Sequence, residues 1–316
     1  VAQGLQRIRS GACRAGITAL FEVAGRQPGQ CQATDLGFVV GPRLNAAGRL
    51  DSMSHGIECL LAEDMVTAKA YAEELDALNH ERRALQSDME VQAQAILSGM
   101  TLNESNVPKA ICLFDKGWHQ GVVGIVASRI KEQFHRPVIV FAEGDETTLK
   151  GSARSIPGVH IRDVLDRVAT ANPGLITKFG GHAMAAGLSL PKDSFEVFSS
   201  CLIEAVEAMS TPELFQPVVL TDGELSESEL SSESANQLEK AGPWGQGFPE
   251  PLFQGKFVIR QRRVLKEKHL KLVLTPTHGR QEIDAIVFNT DCDRWPAIGG
   301  AFECTYRLSL NRFRGS

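Results

Sequence analysis

Five short segments of this sequence contain side chains that could contact a phosphate group or a nucleobase. The first, residues 41–51 (GPRLNAAGRLD), places Arg43, Asn45 and Arg49 among small residues that let a ligand or another chain come close. A guanidinium offers a fixed fork of N–H donors that suits phosphate oxygens. The segment therefore indicates a phosphate contact. The competing interpretation is a tight turn at a domain edge with solvated arginines.

The second segment, residues 117–121 (GWHQG), precedes a predicted helix. A glycine-flanked loop at a helix start exposes backbone N–H groups, which favours an anion. Trp118 could stack on a base or sugar, and His119 could bond a phosphate. In the alternative interpretation, Trp118 anchors the loop under a sheet and His119 is a surface residue.

Two further segments offer polar side chains among small neighbours. Residues 150–155 (KGSARS) fit a strand, whose alternation puts Ser152 and Arg154 on one face as a phosphate seat. Residues 179–187 (FGGHAMAAG) surround His182 with small residues and Met184, so that a ligand could reach the imidazole. No acid or second histidine lies near His182, which favours phosphate over metal. An ordinary polar strand face remains the alternative for residues 150–155.

The fifth segment, residues 241–251 (AGPWGQGFPEP), predicts a rigid aromatic loop. Trp244 either packs as a hinge against a neighbour or stacks on a base.

A basic stretch follows this loop, although the chain's net charge is −5. Residues 254–280 contain eight Lys or Arg and one acid, whereas residues 222–239 contain six acids and no Lys or Arg. Clustered cations can bind phosphates locally despite an acidic total. The predicted nucleic-acid-binding face comprises Arg260, Arg262, Arg263, Lys266, Lys268 and Lys271. A solvated rim is the alternative.

Several function classes are excluded by missing motifs. The sequence has no Walker A motif, H-E-x-x-H, G-x-S-x-G or kinase set, and no Asp and His cluster for two metals. We therefore predict no catalytic and no metal-ligating residue in this chain. Seven scattered cysteines without a secretion signal or an 18-residue apolar run indicate reduced thiols and a cytoplasmic protein without a membrane span.

The elements that must position these side chains follow from periodicity. Residues 64–97 lack Gly and Pro and have one apolar seam, which predicts a long helix. A strand–loop–helix–strand order then predicts an α/β unit, and five short β-type runs after residue 217 suit a small barrel. The α/β unit is predicted from strands at 110–114, 137–142 and 148–155 and helices at 122–134, 161–169 and 194–209, and the barrel from runs at 218–220, 252–264, 270–274, 282–288 and 302–310.

Taken together, the segments resemble the RecJ family of the DHH phosphoesterase superfamily. The resemblance is carried, in the family's order, by residues 41–52, 117–130, 150–155, 179–187 and 242–253. It implies an α/β fold in which a DHH-associated domain with a GGH motif follows a long connecting helix and precedes an OB-fold β-barrel. The implied domains are the tail of a DHH domain (1–51), the connecting helix (52–100), the DHH-associated domain (101–210) and a truncated OB-fold (211–316).

The resemblance also implies a function. Family members degrade single-stranded DNA from the 5′ end with Mn²⁺ or Mg²⁺ held by a DHH domain. Because this chain lacks the Asp-His-His run and both its ends look cut, we expect an inactive fragment that binds DNA and the 5′-phosphate. Expected partners are single-stranded DNA and single-strand-binding or other repair proteins. The rival hypotheses are an oligonucleotide or cyclic-dinucleotide phosphodiesterase and a binding module without activity.

Overall fold

The computed structural model describes residues 1–99, 107–245 and 247–311. The chain divides into two compact units, one formed by Gln3–Pro217 and the other by Val218–Ser316 with the first two residues. This division falls close to the predicted boundary at 210/211, while the other predicted domain boundaries lie within the first unit and stay predictions. Among the described helices, none is both long enough and apolar enough to cross a membrane.

The first unit begins with helices. They are α1 (Ala2–Arg9), α2 (Ala15–Val23), α3 (Ala33–Asp35), a π-helical segment (Leu36–Val40), α4 (Gly41–Leu50), α5 (Ser54–Leu61) and α6 (Met65–Gly99). One alternative interpretation and one expectation are corrected here. The segment at 41–51 is a helix rather than a turn, because Pro42 lies in its first turn, where no N–H bond is lost. The connecting helix predicted at 52–100 is two helices, since Asp64 accepts the Thr67 N–H (2.9 Å) and starts α6 anew.

A five-stranded mixed sheet follows, in the order β1-β2-β3-β5-β4. Its elements are β1 (Ile111–Phe114), α7 (Val123–Phe134), β2 (Val138–Glu143), β3 (Thr148–Arg154), α8 (Ile161–Ala171), β4 (Lys178–Gly181), β5 (Ala185–Pro191) and α9 (Phe195–Ala208). Helices α6 and α7 pack on one face, and α8 and α9 pack on the other. The predicted α/β unit is confirmed. Hairpin β4–β5 was not predicted, because its glycines and alanines have low strand propensity.

The second unit contains α10 (Ser232–Ala241) and a four-stranded antiparallel sheet in the order β8-β7-β6-β9. The strands are β6 (Phe253–Leu265), β7 (His269–Pro276), β8 (Ile283–Phe288) and β9 (Ala301–Tyr306). Four of the five predicted β-runs are therefore strands, whereas 218–220 is an exposed coil. Helix α10 lies in the acidic stretch and begins where the Ser231 Oγ accepts the Ser234 N–H (3.2 Å).

Candidate nucleic-acid interface

Strand β3 presents Ser152 and Arg154 on the face of the sheet that α7 partly covers. The Arg154 guanidinium donates to the Ser152 Oγ (3.0 Å) and to the Ala153 carbonyl (2.7 Å), so the two side chains form one unit. They lie against Gly124 of α7, where a Cβ would approach the Arg154 Nη2 to 2.7 Å and the Ser152 Oγ to 2.9 Å. Gly124 is therefore what allows the helix to lie beside this pair.

The end of α4 reaches the same place. An added Cβ on Gly121 would overlap the Arg49 carbonyl oxygen, so the two backbones are in direct contact. The Arg49 Nη1 also donates to the Gly121 carbonyl (3.1 Å). Two segments that are far apart in sequence, 41–51 and 117–124, thus meet next to strand β3, as a shared phosphate site would need.

Arg49 is near two further guanidinium groups, those of Arg82 and Arg154. Burial, with repulsion from Arg49, lowers the pKa of Arg154. Burial also lowers the pKa of Arg82, with further repulsion from Arg83 and Arg49. None of Arg49, Arg82 and Arg154 belongs to an ion pair among the described residues. Crowded guanidinium groups that lack a carboxylate favour an anion between them.

Arg82 was not among the predicted site residues. It lies on α6, where its guanidinium donates to the side chains of Asn79 and Gln86. The sequence pattern of α6 marks only its apolar seam and does not single out any polar residue beside that seam. Nothing in the sequence indicates that this turn of α6 faces the end of α4. Tertiary packing alone brings Arg82 near Arg49.

Strands β5 and β4 continue the face on which Ser152 lies. Ser152 is paired with Gly187, which in turn is paired with Gly180, and both glycines are exposed. Arg154 is paired with Ala185, whose carbonyl accepts the backbone N–H of exposed His182 (2.8 Å). Since neighbouring strands lie about 4.8 Å apart, the His182 backbone is about 10 Å from Arg154 across a surface of small residues. The GGH turn and the Ser152–Arg154 pair therefore share one end of the sheet.

Two other predicted contact residues, Asn45 and His119, are exposed near this cluster. Asn45 is exposed one turn before Arg49, on the same face of α4. His119 is exposed, and its Nδ1 accepts the Gly121 N–H (3.0 Å), which leaves Nε2 as the ring's second nitrogen. The predicted backbone anion site is not favoured, because the N–H groups of Gly117 and Val123 are also bonded within the loop.

Two predicted DNA contacts need correction. Arg43 is buried, with its Nε 2.8 Å from the Asp76 carboxylate and its Nη1 donating to the Val39 carbonyl, so it ties α4 to α6. Trp118 is only 4% exposed and donates its Nε1–H to the Gln92 side chain (2.7 Å). Neither side chain can reach a nucleic acid, because each is used inside the protein.

The basic residues that were predicted to form the binding face of the second unit fall into two groups. Arg260, Arg263, Lys266, Lys268 and Lys271 are exposed. Arg262 instead pairs with buried Leu272 and donates to the backbone carbonyls of Cys292, Trp295 and Pro296. Arg262 therefore lies on the core side of the sheet, and its predicted place on the binding face is wrong.

The described residues do not form a metal site. Among residues 1–99, 107–245 and 247–311, no group of three or more His, Cys, Asp or Glu side chains could hold a metal ion. The cations implied by the resemblance therefore do not fit this part of the protein.

Comparisons with known proteins agree with this architecture. Residues 106–208 match the DHHA1 domain, and residues 221–316 match the RecJ OB domain. The single-stranded-DNA-specific exonuclease RecJ of Salmonella typhimurium is 50% identical over 315 residues, which is 99% of this chain and 55% of the relative. The chain belongs to the RecJ family. The predicted resemblance and fold class, a DHH-associated α/β domain between a long helix and an OB-fold, are confirmed.

Solved RecJ structures extend the match. RecJ from Thermus thermophilus in complex with Mg²⁺ is 30% identical with a TM-score of 0.78, covering 99% of this chain and 46% of that one. Its complex with Mn²⁺ gives the same identity and TM-score and covers 44% of that chain. The chain thus spans about half the length of the relatives that it matches.

Proposed function

We propose that this chain is the DNA-gripping part of a single-stranded-DNA-specific 5′→3′ exonuclease. The observation that carries the proposal is the cluster of Arg49, Arg82 and Arg154, which lacks an acid and borders the small-residue face of β5 and β4. The name of the Salmonella typhimurium relative supports the same substrate class. Phosphodiester hydrolysis would be the reaction of the whole protein.

The cluster's role is to hold phosphate oxygens. Arg154 and Ser152 would bind the 5′-terminal phosphate, with Arg49 and Arg82 neutralising its remaining charge. Because Ser152 and Arg154 already bond to each other, their donors are oriented before the ligand arrives. Holding the terminal and scissile phosphates in fixed positions lowers the entropic part of the barrier.

The face of β5 and β4 leaves room for a nucleotide backbone. At exposed Gly180 and Gly187 no side chain stands between a nucleotide backbone and the sheet. His182 would contact a phosphate from the rim of this surface. Asn45 and His119 would add hydrogen bonds beside Arg49.

Metal ions would enter the reaction through other parts of the protein. The Thermus thermophilus structures are complexes with Mg²⁺ and with Mn²⁺. The described residues provide no ligand set for these ions, so we assign this chain only the binding and orientation of DNA.

The barrel would provide a second grip on the strand. Arg260, Arg263, Lys266, Lys268 and Lys271 are exposed cations in the part of the chain that matches the RecJ OB domain. OB-folds bind single strands by neutralising the backbone and stacking bases. Single-strand-binding or other repair proteins remain proposed partners for the acidic stretch at 222–239.

A cytoplasmic location is part of the proposal. All seven cysteines are free thiols, and burial raises the pKa of Cys112 to about 12. A protonated, buried thiol is an apolar filler rather than a reactive group, and unpaired thiols suit a reducing compartment.

The test is a comparison of oligonucleotides that carry a 5′-phosphate or a 5′-hydroxyl group, with affinity measured by fluorescence anisotropy. Arg154→Ala should weaken binding of the 5′-phosphorylated strand by about 10- to 100-fold, the value of a hydrogen-bonded charge, and should affect the 5′-hydroxyl strand less. Arg129→Ala is the matched control, because Arg129 is exposed on α7 and pairs with Glu132 and Glu90. Equal affinity of wild type and Arg154→Ala for both strands would overturn the proposal, and preference for a dinucleotide over a long strand would favour the phosphodiesterase hypothesis.

A further inference from the structure

The outer face of the barrel sheet has an apolar and aromatic end. In the strand register, Leu265 pairs with His269, which pairs with Phe288, and side chains of paired residues point to the same face. The next row on the same face, two residues further from the β6–β7 turn, contains Arg263, Lys271 and Ile286. We call these six residues the β6–β8 platform.

Phe288 is the most exposed member of its row. Phe288 is 64% exposed, so much of its ring is open to a ligand. The ring meets His269 edge to face, with the centroids 5.5 Å apart and the planes at 72°. One edge of Phe288 is therefore supported by the protein, while much of the ring remains accessible.

The support under Phe288 is fixed in orientation. The His269 Nδ1 accepts the backbone N–H of Asn289 (3.0 Å), which holds the imidazole in place. His269 is also only partly exposed, because it follows the tight β6–β7 turn. A base that stacked on Phe288 would therefore bind to a ring whose neighbour, His269, already has a fixed orientation.

Positive charge surrounds this ring. Lys266 and Lys268 lie in the turn next to His269, and Arg263 and Lys271 occupy the neighbouring row. Three acids lie in or beside the same region: Glu267 in the turn, Asp284, which pairs with Lys271 at 3.3 Å, and Asp291, which pairs with Arg294 at 3.5 Å. Cations remain in excess, and an aromatic ring among cations matches the chemistry of a single-stranded nucleic acid.

We propose that Phe288 is a stacking platform for one nucleobase of single-stranded DNA, with Arg263 and Lys268 neutralising the phosphates on either side of that base. This inference rests on the proposed function and adds a base-contacting site that works independently of the 5′-phosphate cluster. Stacking of this kind does not depend on the nucleotide sequence, because every base has a π-face.

The test compares two ligands with two proteins. The ligands are a thymidine oligonucleotide of about 15 nucleotides and an abasic strand of the same length, and the proteins are the wild-type chain and Phe288→Leu. Phe288→Leu should weaken binding of the thymidine strand by about 5- to 30-fold but change binding of the abasic strand by less than about 2-fold. Leu keeps an apolar side chain at this exposed position, so the fold should be preserved.

A second variant makes the contact visible. Phe288→Trp should bind the thymidine strand at least as tightly as wild type, and its added fluorescence should be quenched by that strand but not by the abasic one. The three native tryptophans provide the background, measured on wild type. Phe248→Leu is the matched control, because Phe248 is 57% exposed in the same unit but belongs to none of strands β6 to β9 and packs on Trp244, with the ring centroids 4.8 Å apart.

The outcomes separate this inference from the function on which it rests. Equal losses for both strands, or no loss and no quenching, would overturn base stacking at Phe288 while leaving the 5′-phosphate cluster standing. If the wild-type chain binds neither strand, the proposed function and the proposed base stacking on Phe288 are both wrong.

Discussion

The arginines of this protein differ in role according to what surrounds each guanidinium. Arg43 and Arg262 are used internally, by Asp76 and by three backbone carbonyls respectively. Arg49 and Arg154, which with Arg82 form the cluster, have no carboxylate partner among the described ion pairs and repel each other. Because an arginine keeps its charge at any physiological pH, this repulsion can be relieved only by an anion or by movement.

The first residue-scale prediction contrasts two arginines of α4. Arg43→Met should lower the free energy of unfolding by about 2–3 kcal/mol, since it removes the guanidinium from the partly buried Asp76 carboxylate and leaves it only the longer contact with exposed His80 (3.5 Å). The same variant should bind single-stranded DNA like wild type once folded. Arg49→Ala should do the reverse, with stability changed by less than about 1 kcal/mol and affinity lowered about 10-fold.

Urea denaturation and anisotropy measure the two properties on the same preparations. If Arg43→Met weakened DNA binding while remaining as stable as wild type, the internal role of Arg43 would be wrong.

Helix α7 acts as the spacer of the site, because two of its neighbours come unusually close. Gly121 lies against the backbone of Arg49, and Gly124 lies against Ser152 and Arg154. Gly121 lies in the loop just before α7 and Gly124 lies in the first turn of α7, so the loop can touch α4 and the helix can touch β3 one turn later. Helix α7 therefore contributes close packing that positions its neighbours, and not a polar group that binds the ligand.

The element-scale prediction concerns Gly124→Ala. The added methyl would displace the ends of two side chains, which can move, while alanine favours the helix by about 1 kcal/mol. Stability should therefore stay equal or rise, whereas affinity for a 5′-phosphorylated strand should fall about 10-fold because the Ser152–Arg154 pair is broken. Gly4→Ala in α1 is the control, as nothing lies within 4 Å of its Cβ.

Thermal denaturation and binding are measured together for both glycine variants. A Gly124→Ala protein that keeps full affinity for the 5′-phosphorylated strand would show that the pair does not need its present geometry.

Charge distribution dominates at the scale of the whole molecule. The chain has a net charge of −5, yet Arg260, Arg263, Lys266, Lys268 and Lys271 are five exposed cations within twelve residues of the second unit. Local neutralisation of phosphates, which releases counterions, decides binding to DNA more than the total charge does.

The whole-molecule prediction follows from counterion release. The double variant Arg263→Ala, Lys268→Ala should reduce the salt dependence of single-strand binding, lowering the slope of log K against log salt by about 1.4. Lys69→Ala, Arg129→Ala removes the same charge from α6 and α7 and should leave the slope as in wild type. Identical slopes for the two double variants would mean that only net charge matters.

Local sequence patterns were enough to define most elements and the types of donor. Uninterrupted helical periodicity predicted most of α6, alternation predicted β6 to β9, and the arginines, Ser152 and His182 indicated phosphate chemistry. The hairpin β4–β5 was not predicted, because glycine and alanine form strands only when neighbours provide the pairing.

Which donors work together depends on the tertiary structure. Arg43 and Arg49 look equivalent in one motif, but helical periodicity and packing bury the first and expose the second. Arg82 joins the cluster because α6 passes the end of α4, and Trp118 makes no DNA contact because it is buried beside α6. Burial and proximity arise from contacts between residues distant in the chain, and local patterns do not encode those contacts.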